Sequence, residues 1–263
     1  MSTTRAADLR VALGEYDTGW HDPDPSLARA DEIVREAAGA GAALVVLPEM
    51  CTTGFTMDVS VQPRGLDDPQ VMRLADIARA HGVHLIAGVG VREPSLGGAY
   101  SNSALVFGPD GALRAQYRKQ RLFGFAGEDG AYRAGGAPVI VDIGGVRLAP
   151  LVCFDLRFPE LFQAVANDVD VFVVIANWPH TRRAHWDTLT RARAIESQSY
   201  VIAVNRIGDA DGLTYDGGSV VYDPMGERID HVANTPSCIP IADVTTAATR
   251  AVRARFPFYQ GRT

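Results

Sequence analysis

Lysine is almost missing from this chain: its 25 basic residues are 24 arginines and a single lysine, Lys119. Where arginine has taken nearly every basic position, a remaining lysine marks a place that needs a compact ammonium rather than a planar guanidinium, or else survived by chance. Cysteine is scarce too. Three residues (51, 153 and 238) are too few and too odd for a disulfide framework, and point to free thiols in a reducing compartment, the cytoplasm by default. No apolar run approaches the roughly 20 residues of a membrane span, and the opening MSTTRAADLR has no apolar core, so neither an anchor nor a signal peptide is expected. A net charge of −6 argues against a nucleic-acid-binding face. The six histidines show no HExxH or paired-cysteine spacing, so no metal site is expected. Gly88-Val89-Gly90 lacks the third glycine and following helix of a dinucleotide fingerprint and reads as a strand end.

What is present is alternation of buried strands and amphipathic helices, with no repeat or linker. Leu9–Leu13, Ala43–Leu47, His84–Val91, Arg147–Val152, Val171–Ala176 and Tyr200–Val204 are short apolar runs of the kind covered on both faces. Helices are expected over Ser26–Ala38 (Ser26 as N-cap), Pro69–Ala80, Pro159–Ala166, His185–Gln198 and Val244–Arg255. Turns at Gly108–Gly111 and Asp223–Gly226 predict two hairpins, the second pairing Gly218–Tyr222 with Glu227–His231, and Ser237–Ile241 is a last strand. The irregular Arg118–Gly136 is long enough to imply function. The expectation is one α/β domain whose strands form two packed sheets.

The chain is organised around Leu148–Leu161, LAPLVCFDLRFPEL. A buried strand stops at Cys153 and Pro159 opens a helix, so the thiol sits at the carboxyl edge of a sheet, where such sheets carry their chemistry. Backbone N–H groups there can bind a developing oxyanion. A small core hydrophobe is the other reading of Cys153, and this stretch alone leaves both open. Glu49 and Lys119 stand likewise, one after a buried run and one at the start of the long loop. Taken singly, Glu49 is a turn cap and Lys119 a solvated cation. Meeting in one pocket, the carboxylate would take the thiol proton, the thiolate attack a carbonyl carbon, and the ammonium steady the oxyanion. Asp155 and Arg157 are expected to pair and brace the turn.

LVVLPEM around Glu49, YRKQRLF around Lys119 and LVCFDLRFPEL around Cys153 resemble, in order and spacing, the three catalytic motifs of the nitrilase (carbon–nitrogen hydrolase) superfamily. The resemblance covers essentially the whole chain. Residues 176–208 (ANWPHTRRAHWDTLTRARAIESQSYVIAVNRIG) and 215–227 (YDGGSVVYDPMGE) are most similar to its omega-amidase branch. It implies a single domain over residues 1–263, a four-layer α-β-β-α sandwich, and a homodimer stacking its helices. It also implies a Glu49–Lys119–Cys153 triad working through a thioester without a cofactor, supported by Glu128 and Phe154. The chain departs from most relatives at Arg121.

The reaction expected is hydrolysis of a small linear amide to a carboxylate and ammonia, the substrate being the omega-amide of a 2-oxo dicarboxylic acid such as 2-oxoglutaramate or 2-oxosuccinamate. Trp178 is expected to pack on its carbon chain, and Arg182 or Arg183 to hold its carboxylate. N-carbamoyl amino-acid hydrolase and nitrilase are the alternatives within the superfamily. A non-catalytic thiol sensor or binding protein is the alternative outside it, opposed by Glu49 and Lys119, since a sensor needs no oxyanion donor.

Overall fold

Strand parity decides the layers. A computed structural model describes residues 7–258; the ends of the single-domain reading, residues 1–6 and 259–263, lie outside the described residues. In chain order the strands begin β1 (Asp8–Leu13), β2 (Leu44–Val46), β3 (His84–Glu93), β4 (Ala99–Phe107) and β5 (Leu113–Arg118). These five lie side by side in that order, the first three parallel and the last two antiparallel. Next come β6 (Val141–Ile143), β7 (Val146–Val152), β8 (Val171–Ala176) and β9 (Tyr200–Asn205). The last three of these are mutually parallel. The hairpin β10 (Ile207–Ala210) and β11 (Leu213–Asp216) stands alone, and β12 (Val220–Tyr222) joins β9 to complete a five-stranded sheet. Finally β13 (His231–Val232) and β14 (Pro240–Thr245) extend the first sheet beyond β1 to seven strands.

Successive side chains of a strand face opposite ways, and the two cores follow this rule. Leu9, Val11, Leu13, Val46, Ile86 and Val106 share one cluster with the second sheet. Their neighbours Ala12, Val45, Leu85 and Leu105 share the other with helices α1 (Pro23–Gly39) and α2 (Pro69–His81). On the far side, Phe162 of the short helix Pro159–Gln163 and Trp186 of Arg183–Ser197 pack on the second sheet. The result is the expected four-layer α-β-β-α sandwich.

Three sequence expectations are corrected. Ser26 is not an N-cap: the first long helix begins at Pro23, whose missing N–H costs nothing in a first turn, and the Ser26 hydroxyl, in that first turn, donates back to the carbonyls of Thr18 and Asp22 ahead of the helix. The second hairpin forms its turn but stops early. The Asp230 carboxylate accepts the Val221 N–H (3.0 Å), and His231–Val232 crosses to the larger sheet. The β10–β11 hairpin was not expected, because IGDADGLTYD carries too few apolar residues to signal a pair of strands.

Candidate active site

Strands of both sheets end at one rim. Glu49 follows β2, Cys153 follows β7, Asn177 follows β8 and Asn205 ends β9, while Lys119 follows β5 from the side. Placing these residues strains the backbone locally: Met50 (φ 42°) and Cys153 (φ 47°) both adopt the left-handed region that side chains avoid, a cost of about 1–3 kcal/mol each. Gly88 is required by proximity. A Cβ there would come within 2.5 Å of the Glu49 Cα, so the backbone of β3 seats that of Glu49. Gly88-Val89-Gly90 is thus strand interior rather than strand end.

The ionised side chains meet out of solvent. Lys119 Nζ lies 3.0 Å from Glu49 Oε1, and 3.0 and 2.8 Å from the two carboxylate oxygens of Glu128; all three side chains are fully buried. Asn102 donates to Oε1 of both glutamates at 2.7 Å. Glu49 Oε2 accepts the Asn177 N–H (2.9 Å), and Glu128 Oε2 the Phe123 N–H (2.6 Å). Besides Lys119, the two carboxylates accept hydrogen bonds from the Asn102 amide and from the N–H groups of Asn177 and Phe123. Burial works against the charge of Lys119, but the Glu49 and Glu128 carboxylates beside it outweigh that and hold the ammonium above its usual range. The Cys153 thiol is pushed well up, first by burial and then by Glu49, with Lys119 opposing. The resting sulfur is therefore a thiol facing a buried carboxylate.

Asp155 does not pair with Arg157, contrary to expectation. It accepts hydrogen bonds from the Tyr117 hydroxyl (2.8 Å) and from the N–H groups of Val152 (3.0 Å), Gln120 (3.2 Å) and Arg121 (2.8 Å). One buried carboxylate thus ties the residues after Lys119 to the residue before Cys153. Burial raises its pKa to about 6 in spite of these donors. Asp155→Asn puts an amide N–H where two donors already point, and each buried donor left unmatched costs about 1–3 kcal/mol. Urea unfolding is expected to show that loss. A midpoint equal to that of the wild type would reduce Asp155 to a bystander.

Cys153 opens on a cavity of about 170 Å³ lined among others by Phe55, Phe123, Phe154, Trp178, Arg182 and Tyr215. That is below the roughly 300–1,000 Å³ of pockets for drug-sized ligands, so the occupant is small. Trp178 is placed there by Asn205, whose side chain accepts from its N–H (2.7 Å) and donates to its carbonyl (2.9 Å). Arg182 lines the cavity with its guanidinium 5.5 Å from the Phe123 ring centre. Arg183 does not: it pairs with Asp187 (2.8 Å) and Asp216 (3.2 Å). Arg157, which sequence reasoning assigned to Asp155, lies instead over Trp178 (4.8 Å) at the cavity wall. Arg121 is turned outward to Glu160 (3.2 Å), so the departure there touches the pocket with no side chain. Asn177 and Asn205 were missed although they carry the signal that picked out Glu49 and Cys153, a polar residue ending a buried run. Asn102 had no signal, being a polar residue inside a strand. Among the described residues no cluster of His, Cys, Asp and Glu is arranged to hold a metal ion.

A family model described as carbon–nitrogen hydrolase matches residues 10–254. Omega-amidase YafV of Escherichia coli (strain K12) is 37% identical over 96% of this chain and 96% of its own length. 2-Oxoglutaramate amidase of Bacillus subtilis (strain 168) is 30% identical over 95% of each. Among solved structures, XC1258 of Xanthomonas campestris, a CN-hydrolase superfamily protein with an arsenic adduct in its active site, superposes with a TM-score of 0.86. It is 35% identical, with 95% of each chain covered.

Proposed function

The chain belongs to the carbon–nitrogen hydrolase family, and from that premise we propose that Glu49, Lys119 and Cys153 hydrolyse the omega-amide of a small 2-oxo dicarboxylic acid. The observation that carries this reading is the buried meeting of Lys119 with Glu49 and Glu128 beside a protonated thiol, at the floor of a small pocket walled by arginine. Glu49 takes the Cys153 proton as sulfur attacks the amide carbon. The oxyanion forms toward Lys119 and the N–H groups opening the turn at Cys153 and Phe154, which have no carbonyl partner within that turn. Glu49 returns the proton to the nitrogen, the C–N bond breaks, and ammonia leaves a thioester. Water then adds to the thioester, giving one proton to Glu49. The C–S bond breaks, the carboxylic acid departs and the proton returns to sulfur. Glu128 stays the fixed counterion of Lys119.

Arginine selects the substrate. Neither Arg157 nor Arg182 has a carboxylate partner among the described residues, and both line the pocket. They suit an acid whose carboxylate lies opposite its amide, with Trp178 along the carbon chain. The names of the omega-amidase and 2-oxoglutaramate amidase relatives support that substrate class. Arg182→Ala is expected to lower kcat/KM on 2-oxosuccinamate about tenfold to a hundredfold, the worth of a charged hydrogen bond of roughly 1.5–3 kcal/mol, while sparing an uncharged amide of similar length. Arg183→Ala should spare both. Equal losses on the two substrates in the Arg182 variant would sink the assignment. Faster turnover of N-carbamoyl amino acids or nitriles in the same ammonia assay would replace the substrate class.

The proposal extends to a homodimer in the cytoplasm. Exposed Ile195 and Met225 on the outer helical side, and three cysteines that are all free thiols, support it.

A further inference from the structure

Asn102 lies inside β4, carries no nucleophile and titrates nowhere, yet its side chain touches both carboxylates of the charged cluster. Its Nδ2 donates one hydrogen to Glu49 Oε1 and the other to Glu128 Oε1, both at 2.7 Å. Its backbone carbonyl accepts the backbone N–H of Lys119 at 2.8 Å. The side chain is fully buried, and among the described residues its Oδ1 has no hydrogen-bond partner. The reversed amide is excluded, because it would aim Oδ1 at two carboxylates. A buried acceptor left without a donor is a cost the fold accepts to aim the two N–H bonds.

The two glutamates are not equivalent. Glu128 grips Lys119 with both oxygens, whereas Glu49 uses one and turns the other to Asn177. Glu49 is also the carboxylate facing the Cys153 sulfur. Two carboxylates sharing a site tend to hold one proton between them, since both cannot easily stay ionised. Lys119 opposes it with one positive charge, which Glu128 holds through two oxygens and Glu49 through one. The neutral donor set between the two Oε1 atoms opposes it without adding a charge.

We propose that Asn102 is a positioning residue that keeps a proton from being shared between Glu49 and Glu128, leaving Glu49 free to receive the one from Cys153. The inference rests on the reading of Glu49 as the proton acceptor. The other ionisable groups near Glu49 are Lys119, Glu128, Cys153, Tyr132 and Tyr215, with Asp155 beyond Lys119. None of them replaces the two N–H bonds of Asn102.

The experiment measures the alkylation rate of Cys153 by iodoacetamide, and kcat/KM for amide hydrolysis, across pH in the wild type, Glu49→Gln, Asn102→Leu and Asn102→Ser. The leucine fills a similar volume and removes both N–H bonds without adding a charge; the serine keeps a donor too short to span both carboxylates. Each Asn102 variant is expected to move the acid limb of both profiles upward by about one pH unit, with part of the lost rate recovered at higher pH. Glu49→Gln should abolish the limb. A wild-type limb in folded Asn102 variants, with only the rate or the melting temperature changed, would overturn the proposal. Failure of both variants to fold would overturn it equally, assigning Asn102 to the fold. A limb that survives Glu49→Gln would instead remove the acceptor role of Glu49, an outcome distinct from either.

Discussion

Cys153→Ala is expected to abolish amide hydrolysis, with a fall in kcat on the order of 10⁴ or more, while the protein unfolds within a few degrees of the wild type. The size of the loss follows from the chemistry: without sulfur no covalent intermediate forms, and the remaining donors act only on a direct attack by water. The small effect on stability follows from the site. Cys153 already sits at a strained φ of 47°, which alanine shares, and its side chain opens on the pocket rather than filling a core. The thiol faces Glu49 and is held protonated, so removing it takes away no charge on which the cluster depends. Cys51 serves as the internal control. It is fully buried among the residues packed under α1 and α2, and burial raises its thiol to about 12. Cys51→Ala should therefore stay active and lose only packing, and Cys238, which is exposed, should be dispensable. Steady-state ammonia release and a thermal melt on each variant decide the matter. Turnover surviving in the Cys153 variant, with Cys51→Ala inactive, would overturn the nucleophile.

Lys119→Arg should be nearly as inactive as Lys119→Ala, each losing at least about a hundredfold in kcat/KM, the scale of a lost oxyanion donor. In most settings this exchange keeps the charge and is mild. Here Nζ sits within 3.0 Å of Glu49 Oε1 and of both Glu128 oxygens, 5.3 Å from the Phe55 ring centre, with no exposed surface. A guanidinium is planar and larger, and would have to displace Asn102 or Phe55 to keep those contacts. The two variants should separate in stability. Alanine leaves two buried carboxylates without their cation, a loss of about 3–5 kcal/mol, whereas arginine retains a charge and pays mainly in packing. Melting temperatures and kcat/KM measured together test both halves. Activity near that of the wild type in Lys119→Arg would show that charge alone is needed, and that the one lysine among 25 basic residues carries no special chemistry.

The local sequence by itself determined the apolar strands of the two cores and most helices, because each is written in neighbouring residues, but not the polar β10–β11 hairpin or the bounds of the last strands. Val171–Ala176 was read with its observed ends, and Pro69 with Gly82 bounds a helix by fixed φ at one end and a free left-handed turn at the other. It also marked Glu49 and Cys153, since a polar residue ending a buried run is visible without knowing what it meets, and Lys119 as the single lysine at the start of the long loop. Their motifs then carried the resemblance that fixed the four layers. What only the tertiary structure decided is which groups face one another across long stretches of chain. Asp155 turned from Arg157, two residues on, to donors 34 to 38 residues away. Of two adjacent arginines one lines the pocket and the other pairs with Asp216, because one position along a helix start turns a side chain to a different face. Asn102 is the extreme case. Its partners Glu49 and Glu128 lie 53 and 26 residues away. A polar side chain inside a strand looks the same in sequence whether it faces water or two buried carboxylates, and only the stacking of the sheets settles which.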